Sequence, residues 1–126
     1  MRNLNAEEVK QLADNFLQMA NALGDYRYNN IDSLTEEEDL TIKSMHNQQL
    51  TYTTELYTKS AVLVLEDVQD SLNKIDTITK ESQELYKKLT NVQTILDRAS
   101  SIINLASAIL ALDLKGVTRN IQELVS

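Results

Sequence analysis

The 126-residue sequence has no cysteine, no proline and no tryptophan, and only two glycines, one phenylalanine and one histidine. Without cysteine there is no disulfide scaffold and no thiolate zinc centre. Sheets and barrels make their turns with glycine and proline, so near-absence of both points away from β architectures. A single histidine, His46, cannot supply the two Glu-x-x-His pairs of a ferritin-like di-metal centre. With glycine only at positions 24 and 116, the glycine-rich loops that cradle phosphates or present a nucleophilic serine cannot be built. Long apolar runs are missing too. The richest stretch, residues 102–112, would rise only about 17 Å as a helix against a hydrocarbon core of roughly 30 Å, so it cannot span a bilayer alone.

Basic charge is also scarce. Twelve Lys and Arg stand against 19 Asp and Glu, a net charge of −7, which repels a polyanion and argues against nucleic acid as a partner. The acid is concentrated in the middle of the chain, where Glu36, Glu37, Glu38 and Asp39 form a run. The first ten residues carry no apolar stretch of the kind found in a secretion signal, so the expectation is a cytoplasmic protein. Length and composition suit one domain over residues 1–126, large enough to bury a core without metal or disulfide staples.

What is present is helical periodicity. Asn5 and Glu8 form a capping box, and from Val9 to Leu23 apolar residues recur at threes and fours. Gly24 follows as a stop, which predicts a first helix over 6–23. Thr35 and Glu38 are a second capping box, with four acidic residues placed against the positive end of the next helix. That helix is predicted over 36 to about 72. Its apolar face changes phase near residues 57–63, which marks a kink or reversal. The stretch 73–79, Asn-Lys-Ile-Asp-Thr-Ile-Thr, has the weakest helix propensity and takes the predicted turn. Beyond it Leu85, Leu89, Val92, Leu96, Ala99, Ile103, Ala106 and Leu110 step alternately by four and three, a heptad seam on a helix predicted over about 79–113. Gly116 is expected to close that helix in a left-handed conformation, with a last short helix over 118–125. The fold class expected is therefore all-α: an elongated antiparallel bundle of three or four helices with coiled-coil-like packing. Phe16, Leu56, Leu72, Leu89, Leu96, Ile103 and Leu110 are its expected core.

The search for chemistry yields contact surfaces rather than a catalytic centre. Paired carboxylates such as Glu66 with Asp70 and Glu81 with Glu84 read as solvating charges on a helix face, and His46 reads as a boundary residue. No catalytic residue, metal ligand, cofactor or small-molecule substrate is inferred. Tyr26, Arg27 and Tyr28 combine rigid area with polar ends, the composition of binding hot spots, although the same rings could staple the first helix to the bundle end. Ile102, Leu105, Ile109 and Leu112 widen the apolar face beside the seam beyond what one antiparallel neighbour covers.

These features point to a non-enzymatic helical interaction module that binds a protein partner or itself, with a homodimer expected from the wide apolar face. The alternatives are a membrane-active bundle of the α-pore-forming toxin component type, with residues 102–112 as its hidden segment, and a small chaperone or neutralising partner. Since Ile103 lies on the seam, Ile103→Ala should lower stability by roughly 2–5 kcal/mol in a urea titration, and a loss below about 0.5 kcal/mol would place it in solvent.

Overall fold

The structure, a computed structural model, describes residues 3–59, 62–88 and 91–125. Among them the chain is all-helical, with five α-helices: α1 (Ala6–Asn30), α2 (Glu36–Thr58), α3 (Val68–Lys87), α4 (Val92–Leu110) and α5 (Leu114–Val125). A 3₁₀ turn over Ile31–Ser33 joins α1 to α2. The extra helix comes from breaks that local propensity does not mark. Both capping boxes form as the sequence predicts, with Asn5 accepting from the Glu8 amide at 2.8 Å and Thr35 from the Glu38 amide at 3.1 Å.

The boundaries after these starts differ from expectation. Gly24 does not end the first helix, which runs on to Asn30. The glycine is there for space, since a Cβ would sit 2.9 Å from Nε2 of His46 on α2. The second helix stops at Thr58, and the change of phase at 57–63 is a true reversal. Residues 63–65, Leu-Val-Leu, continue outside any helix with Leu63 and Leu65 fully buried, and Val64 bridges to Asn3 while the Leu4 amide donates to the Leu63 carbonyl at 2.9 Å. The predicted turn at 73–79 is instead the middle of α3. Its threonines bond back within the helix, Thr77 to the Asn73 carbonyl and Thr79 to that of Ile75, while Asp76 accepts from Gln11 and Asn15 of α1. Tertiary contacts thus outweigh weak propensity.

The heptad seam is split between two helices. The chain breaks after Lys88, and Asn91 caps α4 by accepting from the Thr94 amide at 2.9 Å and from its hydroxyl. Leu85 and Leu96 are half-buried on either side of that break, Leu110 is half-buried near the end of α4, and Leu89 lies outside the described residues. Phe16, Leu56, Leu72 and Ile103 are buried as expected.

At the far end of α4 the left-handed residue is Leu112, with φ 58°, and not Gly116. The amide of Asp113 donates to Ala108 and that of Leu112 to Ile109, the paired bonds of a Schellman motif whose left-handed position is ordinarily glycine. Asp113 then accepts from the Gly116 amide at 3.0 Å, so α5 starts at Leu114, four residues before the predicted start. Gly116 lies within the first turn of α5, where a Cβ would collide with the Asp113 carboxylate.

Contacts fix how the helices lie. Arg27 with Asp39 and Asp14 with Tyr57 make α1 and α2 antiparallel. Asn15 with Asp76 and Tyr26 against Tyr86 make α1 and α3 parallel. The N-terminal ends of α2 and α4 line one hollow and the two helices pack, so they also run the same way. The bundle is therefore not uniformly antiparallel. Helix α5 packs on both α4 and α3.

The core has two parts. The larger joins α1, α2, the extended connection, α3, α4 and α5 through residues such as Leu12, Phe16, Leu56, Leu72 and Ile102, and the smaller holds Leu23, Tyr26, Ile42, Tyr86, Ile95 and Ala99. Where α2 and α3 pass from one cluster to the other, the buried residues are polar, Gln49 and Thr53 on α2 and Thr79 and Ser82 on α3, whereas α1 crosses on Ala20 and α4 from Ala99 to Ile102. The hydroxyls bond back to carbonyls of their own helices. Gln49 is 4% exposed and neither atom of its amide group has a partner. An unpaired buried amide costs about 1–3 kcal/mol. Gln49→Met, which keeps the volume and removes the polar atoms, should therefore raise stability by about 1–2 kcal/mol in urea unfolding; unchanged or lower stability would mean that the amide is satisfied.

Candidate functional site

The structure separates the residues that the sequence groups as one contact site. Tyr26 is buried, its ring 6.3 Å from that of Tyr86 and tilted by 51°. Burial raises the pKa of both phenols. Arg27 donates to both oxygens of Asp39, at 2.6 and 3.2 Å, and ties the last turns of α1 to the first turn of α2. The guanidinium in turn holds the Asp39 carboxyl below the usual carboxylate range. Only Tyr28, 81% exposed, stays free for contact. Tyr26 and Arg27 hold the bundle together, so the stapling role applies to two of the three.

The second group divides as well. Ile102, Leu105 and Ile109 are fully buried in the larger core, while Leu112 sits at the α4–α5 turn and is 45% exposed. Helices α1, α2, α3 and α5 and the extended connection supply the rest of that cluster, so Ile102, Leu105 and Ile109 are covered within one chain. Among the described residues no helix is long and apolar enough to cross a membrane, and no group of three or more His, Asp and Glu could hold a metal ion.

A different surface emerges at the N-terminal ends of α2 and α4. Two adjoining hollows, of about 860 and 590 Å³, share Thr35, Glu37 and Thr41. One is lined further by Glu36, Leu40 and Met45, the other by Glu38, Val92 and Leu96. Val92, Leu96 and Met45 are half-buried side chains that lean on the smaller core, and Leu40 is 56% exposed. No lysine or arginine lines either hollow. Of the three carboxylates, Glu38 is taken up by the capping box, accepting from the Thr35 amide at 2.9 Å, whereas Glu36 and Glu37 make no side-chain hydrogen bond or ion pair. The surface is thus a shallow groove of mixed polarity, aliphatic at Leu40, Met45, Val92 and Leu96, with free negative charge on its rim. The sequence carried a signal for it in the Glu36–Asp39 run, but the aliphatic wall depends on α4 starting at Val92, which the uninterrupted seam concealed.

Comparison with known protein families, curated proteins and solved structures finds no significant match to this chain.

Beside the groove, His46 packs against Gly24 in the α1–α2 contact. Its pKa is lowered from 6.5, first by burial, then by the nearby Arg27 charge, with Asp25 opposing. Because the folded state disfavours the imidazolium, this stability is complete above the unfolded pKa of 6.5 and is lost as pH falls through the depressed folded value. The lowered carboxyls of Asp14 and Asp39 act only in the acid range, below about pH 4. Stability should therefore begin to fall as the pH drops through 6.5 in the native chain, and His46→Gln should flatten that decline. A decline of equal size in the variant would remove His46 as its cause.

Proposed function

We propose that this protein is a non-enzymatic helical interaction module that binds a basic, amphipathic segment of a protein partner in the groove between the N-terminal ends of α2 and α4. The observation that carries this reading is the groove itself: aliphatic side chains left partly in water, beside Glu36 and Glu37 with no cation to neutralise them. A helix with leucine-like anchors on one face and lysine or arginine beside them matches both features. Carboxylates at the rim of such a contact steer association and select against acidic competitors, while the apolar contact supplies most of the affinity.

The same charge argues for a different partner over a second copy. In a two-fold dimer formed through this groove, identical rims would face each other and bring Glu36 and Glu37 of both chains together. The membrane-active and chaperone alternatives have no comparable observation in support.

A synthetic amphipathic helix of lysine and leucine, fluorescently labelled and titrated with the full chain, tests the reading. Binding should be monomeric by light scattering and weaken with added salt. Leu40→Ser and the double variant Glu36→Gln/Glu37→Gln should each lower affinity by roughly 5-fold or more, about 1 kcal/mol. Glu81→Gln/Glu84→Gln, which removes equal charge from the exposed face of α3, should leave it unchanged. If both double variants weaken binding alike, or Leu40→Ser has no effect, the peptide is held by net charge alone and the groove is not the site.

A further inference from the structure

A second cavity, of about 530 Å³, lies between the C-terminal halves of α1 and α3, on a different face from the α2–α4 groove. It exists because the two helices run parallel, Asn15 bonding Asp76 lower down and Tyr26 meeting Tyr86 higher up. The crevice between the same helices one level lower is polar as well, but there most of the lining groups are paired, with Glu7, Gln18 and Lys80 the exceptions among the described residues. Lys10 pairs with Asp14 at 2.7 Å, and Asp76 accepts from Asn15 at 2.6 Å and from Gln11 at 3.1 Å. In the upper cavity few are paired. Gln18, Asn21, Asp25, Asn29, Gln83 and Lys87 all line it, all but Gln83 exposed to solvent, and none of these six makes a side-chain hydrogen bond or ion pair among the described residues. The rings of Tyr26 and Tyr86 also line it, showing little more than an edge, and the Tyr86 hydroxyl makes no hydrogen bond to the protein.

From this arrangement we infer that the cavity is a binding site for a neutral, hydroxyl-rich ligand, a mono- or disaccharide. Each carboxamide offers a donor and an acceptor side by side, and a hydroxyl group answers both. One carboxylate and one ammonium leave the cavity without net charge, and the absence of arginine removes the fork that phosphate or carboxylate ligands call for. Apart from Ala22 and the tyrosine edges there is no wall for an apolar molecule, whereas the C–H face of a sugar ring packs on such edges. The volume falls in the range of small-molecule sites.

The test is a titration of the ¹⁵N-labelled full chain followed by NMR, including the side-chain NH₂ signals, with glucose, galactose, mannose, N-acetylglucosamine and maltose as probes. At least one should shift the NH₂ signals of Asn21, Asn29 and Gln83, with half-saturation on the order of 1 mM. Asn21→Ala/Asn29→Ala alters two outward side chains of α1 and favours the helix, so it should keep the fold, yet raise the half-saturation concentration about 10-fold or more. Asn47→Ala, an exposed amide on α2, should change nothing. The inference is overturned if no probe shifts these signals, if the shifts lie elsewhere on the chain, or if glycine or inorganic phosphate shifts them more strongly than every sugar. Because this readout does not involve the α2–α4 groove, its failure leaves the peptide-binding reading untouched.

Discussion

The guanidinium of Arg98 is the interaction on which the arrangement of the last three helices depends. From α4 it donates to Ser82 Oγ at 2.9 Å and the Ile78 carbonyl at 3.1 Å on α3, and to the Leu124 carbonyl at 3.0 Å in the last turn of α5. Burial lowers its pKa, while the Tyr86 and Glu81 partners act in the other direction. A charge so placed is costly unless its donors are satisfied, and here they reach a hydroxyl, a helix carbonyl and a terminal carbonyl of α5 that has no acceptor role within its own helix. The fork geometry lets one residue of α4 address two other helices at once, which a lysine could not do. Helix α5, short and without intrinsic stability of its own, is held in its place partly by this cation and partly by Val117, Ile121 and Leu124 in the larger core.

What could be read in the sequence was decided by how local the determining interaction is. The two capping boxes close within four residues, and both were legible. The helical class followed from what the composition lacks. The glycines were misread because each answers to a neighbour distant from the local pattern: the ring of His46 for Gly24, the carboxylate of the cap Asp113 for Gly116. The weak stretch at 73–79 holds as helix because Asn15 and Gln11 reach it from α1, about sixty residues earlier in the chain.

The heptad seam misled for a related reason. Period alone does not distinguish one long helix from two that meet across a short break, since the residues on both sides still turn toward one core. The signal for the break was Asn91 followed by Thr94, a cap written in only two residues. Of the residues expected to meet a partner, Tyr26, Arg27, Ile102, Leu105 and Ile109 make their contacts inside the chain. The groove between α2 and α4 was beyond reach because its two walls are brought together only by the fold.

The division of the core has a consequence for how the molecule comes apart. Cooperativity in a bundle comes from apolar contact that runs without interruption from end to end, and the band around Gln49, Thr53, Thr79 and Ser82 interrupts it on α2 and α3, leaving α1 and α4 to carry apolar contact across. The end built on Tyr26, Ile42, Tyr86 and Ile95 is the smaller unit, and it carries both the α2–α4 groove and the tyrosine edges of the polar cavity. Fewer buried apolar side chains hold that end than the other, so its amides are expected to exchange with solvent before those of the larger cluster. The two hollows thus lie at the end of the bundle with the smaller share of the buried apolar contact.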